Sequence, residues 1–234
     1  SLVIASTRWI WIILLNYGKL KKYPTMIDKV LSKEEQSILA PEDVIRILRD
    51  GNQNFILNKL TQRDYQEQAS DCVQGQNPLA IVLSCIDSRV PVEHIFDKSI
   101  GDLFVARIAG NFINEDILGS MEYACKVAGS KIILVLGHDH CGAVKSTIDD
   151  VKIGNITAML SKIKPAIDMT GDYKGEKSSK NPEYVQKVVD QNVLNSIKEI
   201  RTRSPILKEM EDDGLIKIVG AIYYISTGKV VFWI

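Results

Sequence analysis

The sequence predicts an α/β fold, with a mainly parallel central sheet flanked by helices and an antiparallel edge strand at its C-terminal end. Three observations predict it. Residues 79–83 and 131–136 are almost continuously apolar, as strands covered on both faces are. Between them, residues 102–108 read as a further strand and residues 116–128 carry apolar side chains at helical spacing. Strand, helix, strand with such short connections is the parallel crossover unit, normally right-handed. Near the C-terminus, residues 215–225 and 229–233 flank Ser226-Thr227-Gly228, a hairpin signal.

The elements come in this order. Residues 1–35 differ in composition from the rest of the chain and read as an N-terminal extension; residues 36–234 read as one domain. Within the extension, Arg8 precedes an apolar run at 9–15, and Lys19, Lys21 and Lys22 come after it. Crossing a membrane takes about 20 apolar residues, so this run does not span. It reads as a packing segment, placing the protein in the cytoplasm. The alternative is an export signal within residues 1–25, although no small-residue cleavage pattern comes after it. Ala40-Pro41-Glu42-Asp43 starts a helix, with proline in the first turn and acids at the positive dipole end. Val44, Ile45, Ile47 and Leu48 form its apolar face, and Gly51 is placed to cap it. Residues 57–78 are polar and read as surface. After the strand at 79–83, Ser99-Ile100-Gly101 turns the chain into the strand at 102–108. The helix at 116–128 stops at Gly129, and another helix starts after Cys141 and runs towards Asp150. Residues 170–182, rich in Gly, Lys, Ser and Asp, read as an exposed loop. Residues 184–201 are helical, with Val185, Val188, Val189, Val193, Ile197 and Ile200 on one side.

The chain has 234 residues, 45% of them apolar and 25% charged, and is long enough for a sizeable core. Its 29 basic and 29 acidic residues cancel, and no basic stripe points to nucleic acid. The four cysteines are Cys72, Cys85, Cys125 and Cys141. A domain of this size needs no disulfide staples. Cys85 and Cys141 stand beside an aspartate and a histidine at strand ends, the setting of metal ligands. Cys125 falls in the helical pattern as a small buried residue, and Cys72 has no assigned role.

Chemistry concentrates in Ser84-Cys85-Ile86-Asp87-Ser88-Arg89 and His138-Asp139-His140-Cys141. Each comes directly after an apolar strand, and ligands gather at the carboxyl ends of parallel strands. His138 and Cys141 are three residues apart, so a turn entering a helix aims both at one ion, and Cys85 supplies the third corner. Two thiolates, one imidazole and an open fourth position form the Cys₂His set of catalytic zinc. Asp87 has two options. Bound to the metal, it leaves no water to activate. Held by Arg89 through charge-assisted hydrogen bonds, it leaves that position to water. Zinc brings the pKa of bound water from about 15.7 to about 7, so a zinc-bound hydroxide forms at neutral pH. His140 lacks the spacing of His138 and reads as solvated or supporting, and His94 as a packing or surface residue.

Taken together, these residues resemble the β-class carbonic anhydrases. The family motif Cys-x-Asp-x-Arg, then His-x-x-Cys downstream, stands here as Cys85, Asp87, Arg89, His138 and Cys141. The similarity extends through residues 102–107, 119–124 and 137–142, and covers roughly residues 40–234. The resemblance implies reversible hydration of carbon dioxide to bicarbonate, a lyase reaction, at one Zn²⁺ per chain. Cys85, His138 and Cys141 would be ligands, with Asp87 a fourth ligand in an inactive state only and Arg89 its partner. It also implies a homodimer or tetramer, with an N-terminal helical arm lying over the partner. Ile86, Val90 and Phe104 would line the apolar side of the substrate pocket. Some members hold inhibitory bicarbonate with a Trp, an Arg and a Tyr. Arg107 and Tyr223 match two of these, but Val82 stands at the Trp position, three before the first cysteine. Two rival functions remain from the sequence: carbon disulfide or carbonyl sulfide hydrolysis on the same scaffold, and a non-catalytic zinc or thiol protein. The second leaves Asp87 and Arg89 without a purpose.

Overall fold

In a computed structural model, which describes residues 30–233, the two apolar runs become the centre of one sheet. β1 (Ala80–Ser84) and β3 (Ile132–His138) pair in parallel, and every residue of both is buried. β2 (Leu103–Arg107) pairs in parallel with the other side of β1 and is only half-buried, as an edge strand is. β4 (Lys217–Tyr224) pairs in parallel with β3 and antiparallel with β5 (Lys229–Trp233). The order is β2-β1-β3-β4-β5, with the antiparallel strand at the edge as expected from the hairpin signal.

From β1 the chain moves outward to β2, then returns across β1 to β3. The strand order reverses there, so a crevice opens between the carboxyl ends of β1 and β3, the general place for a ligand in such sheets. Cys85 leaves one of these ends and His138 closes the other.

Helices cover both faces. On one lie α2 (Pro41–Ile56) and α4 (Val92–Ile95), before and just after β1; the short helices α1 (Lys33–Ser37) and α3 (Tyr65–Asp71) precede β1 in the chain. Val44, Leu48 and Ile95 from this group pack on Val82, Leu134 and Tyr223. The other face receives α5 (Glu115–Glu122), α6 (Gly142–Ile148), α7 (Gly154–Ser161), α8 (Lys164–Asp168), α9 (Pro182–Arg203) and α10 (Pro205–Asp212). Here Met121, Val144, Val188, Val193 and Ile200 pack on Ile81, Leu83, Ile133 and Ile222. The apolar side of the long helix predicted at 184–201 is buried throughout, and its bounds extend to Arg203.

Four local expectations need correction. Gly51 does not cap α2; it lies inside the helix, where a Cβ would stand 1.8 Å from the Phe96 carbonyl oxygen. It is the point at which α2 closes onto the chain after α4. The helix predicted over 116–128 ends at Glu122 and continues as a wider π-helical turn, Tyr123–Val127, with Ala128 N–H donating to Tyr123 O at 3.0 Å. Residues 57–78 are not all surface loop: they contain α3, and Arg63 Nη1 reaches Asp97 Oδ1 at 2.7 Å in an almost dry setting. β3 runs two residues past Leu136, since Gly137 lets Val193 and Ile222 approach to 2.7 and 2.9 Å of its missing Cβ. The apolar run at 9–15, the lysine cluster and most of the expected arm lie outside the described residues. No helix among the described residues is long and apolar enough to cross a membrane.

Candidate metal centre

Cys85 comes directly off β1, and the turn that carries it is fixed from the neighbouring strand. Arg107 Nε donates to Cys85 O at 2.9 Å and its Nη2 to Asp87 O at 2.6 Å. The Gly110 N–H points at Cys85 Sγ at 3.3 Å. Gly110 has φ +81°, and a Cβ there would lie 2.3 Å from Ile163 Cδ1, so this donor position requires glycine.

His138 ends β3 with its Nδ1 2.8 Å from Asp139 O. A carbonyl only accepts, so Nδ1 carries the proton of the neutral ring and Nε2 presents a lone pair. That Nε2 is buried and has no hydrogen-bond partner among the described residues. Cys141 is the N-cap of α6, reached through a tight turn in which His140 takes φ +54°. The ligand atoms of Cys85, His138 and Cys141 all lie within 4.8 Å of one another, and all three residues are buried.

The two thiols share one proton unequally. A hydrogen bond from Cys141, helped by the Gly110 and Asp87 N–H groups, holds the Cys85 thiol well below its usual range. The same pairing and burial push Cys141 far up. A cation would relieve this frustration and take the orphaned lone pair of His138. The donor set therefore fits a soft divalent metal in a tetrahedral site.

Asp87 stands beside this cluster, with Oδ2 3.9 Å from His138 Nε2. Arg89 grips it with Nε on Oδ1 at 2.9 Å and Nη2 on Oδ2 at 2.7 Å, and its own N–H adds a third bond to Oδ1 at 3.0 Å. The Arg89 guanidinium keeps the Asp87 carboxyl well below the usual carboxylate range, against the opposing effect of burial. Arg89 Nη2 also donates to His140 O at 3.4 Å, which ties the first motif to the second.

The remaining sequence candidates are more scattered. Ile86 is 60% exposed, Val90 is fully buried in the α2-side core, and Phe104 packs edge-on against Tyr123 on the opposite face. Arg107 and Tyr223 sit on β2 and β4 with two strands between them, and Val82 is in the core. His140 is exposed, its Nε2 3.9 Å from Asp139 Oδ2, and His94 is exposed on α4. Cys125 is buried, its thiol pushed up to about 12 by desolvation. Two contributors escape a reading of the sequence. Asp139 accepts the Ile225 N–H at 2.9 Å and pins the ligand turn to the end of β4. Gly110 supplies the N–H to Cys85, and its only sequence trace is a glycine after a strand.

The family model for carbonic anhydrases matches residues 80–230. A carbonic anhydrase from Mycolicibacterium smegmatis is 34% identical over 191 residues, covering 79% of this chain and 89% of that protein. Carbonic anhydrase 2 from Mycobacterium tuberculosis is 32% identical over 192 residues, covering 80% and 89%. The solved β-carbonic anhydrase CcaA superposes with a TM-score of 0.66 at 27% identity, over 73% of this chain and 86% of that one. Sequence family, mycobacterial relatives and shared fold agree: the chain belongs to the β-class carbonic anhydrases.

Proposed function

We propose that this carbonic anhydrase hydrates carbon dioxide reversibly at one Zn²⁺ held by Cys85, His138 and Cys141, with Asp87 and Arg89 as a gating dyad. The observation that carries the reading is the bare, buried Nε2 of His138 within 4.8 Å of two thiol sulfurs. Zinc supplies Lewis acidity there, bringing bound water within reach of deprotonation at about pH 7.

The chain's own residues do the rest. Both thiols bind a metal as thiolates, and Cys85, which accepts the Gly110 N–H, is the one whose environment favours ionisation. Asp87 stays ionised and is aimed by Arg89, so it accepts a hydrogen bond from the attacking group and orients it without taking the proton. Turned off Arg89 towards His138 Nε2, Asp87 would occupy the reacting position itself; three hydrogen bonds from Arg89 oppose that turn. Of the apolar candidates, Ile86 and Phe104 are proposed as contacts of carbon dioxide, whereas Val90 is fully buried in the α2-side core and can only support the turn from below.

Arg107 and Tyr223 are the remaining candidates for a bicarbonate pocket. Arg107 already uses two donors on the carbonyls of Cys85 and Asp87, and Val82 offers no donor at all. Inhibitory bicarbonate should therefore bind weakly. Self-association as a dimer or tetramer is supported by the open edge strand β2 and by Tyr123, 57% exposed and edge-on to Phe104 of that strand.

Stopped-flow hydration of carbon dioxide tests the reading on zinc-loaded and chelator-stripped protein. Activity that disappears on stripping and returns with Zn²⁺ is expected. Carbonyl sulfide hydrolysis exceeding carbon dioxide hydration on the same sample would contradict it.

A further inference from the structure

A second concave site lies at the opposite end of β2 from Arg107, about 13 Å along the strand. It is a cavity of about 310 Å³, with Tyr65, Ile100 and Leu103 as apolar walls, Glu93 and His94 at its rim, and Lys98 facing into it. That volume is at the lower end of the range for small-molecule pockets.

Lys98 is the unusual member. Only 5% of the residue is exposed, and no hydrogen bond or ion pair holds its ammonium among the described residues; the nitrogen is not one of the fully buried unpartnered atoms and so keeps access to the cavity. The charges that face it are Asp102, Asp97, Arg63 and Asp50. None of them closes on it. Asp97 is held by Arg63 Nη1 at 2.7 Å, by Asn54 at 2.8 Å and by Thr61. Asp102 Oδ2 accepts the Ser99 N–H at 2.7 Å, and the Ser99 hydroxyl is spent on Gln68. The ammonium is thus left to the cavity, and an anion entering it would supply the partner that the neighbouring carboxylates do not.

We propose that this cavity binds a small organic anion, its carboxylate or phosphate group on the Lys98 ammonium and its apolar body against Tyr65, Ile100 and Leu103. Bicarbonate has no apolar body to fill these walls, so the site is separate in position and preference from the metal centre. The proposal goes beyond the carbonic anhydrase reading and does not depend on it.

Benzoate and phenyl phosphate separate the two head groups, and benzyl alcohol is the uncharged control. Each is titrated into zinc-loaded, ¹⁵N-labelled full-length protein while backbone amides are monitored. Saturable shifts are expected at Lys98, Ile100, Gly101 and Leu103 with at least one of the two anions, and none with benzyl alcohol. Lys98→Met should weaken that binding at least about tenfold, Lys98→Arg should retain it, and carbon dioxide hydration should be the same in all three proteins. Anions that reach the metal centre instead would shift Gly110 and Ala143 equally in every variant. Shifts confined to those two amides, undiminished binding in Lys98→Met, or benzyl alcohol binding as tightly as benzoate would overturn the proposal.

Discussion

Arg89 holds Asp87 with both ends of its guanidinium, 2.9 and 2.7 Å from the two carboxylate oxygens, while Asp87 Oδ2 stays 3.9 Å from the bare nitrogen of His138. The carboxylate is thus one side-chain rotation from the metal ligands and is kept away by a residue two positions along its own turn. Arg89 is half-exposed, so the pair adds little to global stability. Its consequence is geometric: it fixes where the Asp87 carboxylate stands relative to the Cys85, His138 and Cys141 cluster.

The ligand assignment distinguishes two neighbouring histidines. Only His138 offers a buried, unpartnered nitrogen beside the thiols, whereas His140 is exposed. Metal analysis of purified variants should find about one zinc per chain in the wild type and in His140→Ala. His138→Ala and Cys141→Ser should lose most of it. Zinc retained by His138→Ala and lost by His140→Ala would reverse the assignment.

Gly51 tests the packing that supports the α2 side of the sheet. A methyl group there would press on a backbone carbonyl 1.8 Å away, which no side-chain rotation relieves. Alanine adds helix propensity of about 1 kcal/mol at most, well below the strain. Gly51→Ala is expected to destabilise by at least about 3 kcal/mol, lowering the midpoint of thermal unfolding by about 6–12 °C. An unchanged midpoint would show that α2 shifts freely against Phe96.

Asp102 gives the fold a pH dependence. Burial pushes its pKa to about 6, from 3.8. Between these values the folded state binds the proton more tightly than the unfolded chain. The stabilising contribution is complete below about pH 4 and is lost as pH rises through 6, to an extent of about 3 kcal/mol. Asp102→Asn stays neutral and keeps an oxygen for the Ser99 N–H. It should therefore melt several degrees above the wild type at pH 7.5, with the difference closing towards pH 4. A constant difference across that range would contradict the assignment.

Weak bicarbonate control is proposed from the setting of Arg107 and Val82. Initial rates of carbon dioxide hydration below neutral pH should fall smoothly with added bicarbonate, without a lag or sigmoid loss. A lag that Arg107→Ala abolishes would contradict this.

Much of this architecture is legible in the sequence because it is written locally. Residues 79–83 and 132–136 are apolar without interruption, and strands covered on both faces read that way, so the sheet centre and the two strand ends that carry Cys85 and His138 can be read. Cys85, Asp87 and Arg89 interact within one turn, as do His138 and Cys141, and close sequence spacing predicts such contacts. What escapes depends on partners distant in sequence. Gly51 looks like a helix cap until Phe96 is placed against it. Arg63 looks like a surface residue until Asp97 meets it. Arg107 contacts the carbonyl oxygens of Cys85 and Asp87, which no side-chain pattern records, and the π-helical turn after Glu122 leaves the apolar spacing almost unchanged.

The proposed gating requires that Arg89 keep Asp87 off the metal. Zinc content and stopped-flow carbon dioxide hydration, measured on the same preparation of Arg89→Ala, test it most directly. Full zinc occupancy with activity reduced about a hundredfold is expected, comparable to losing one preorganised transition-state contact. Full occupancy with wild-type activity would show that Asp87 needs no such restraint and would contradict the account.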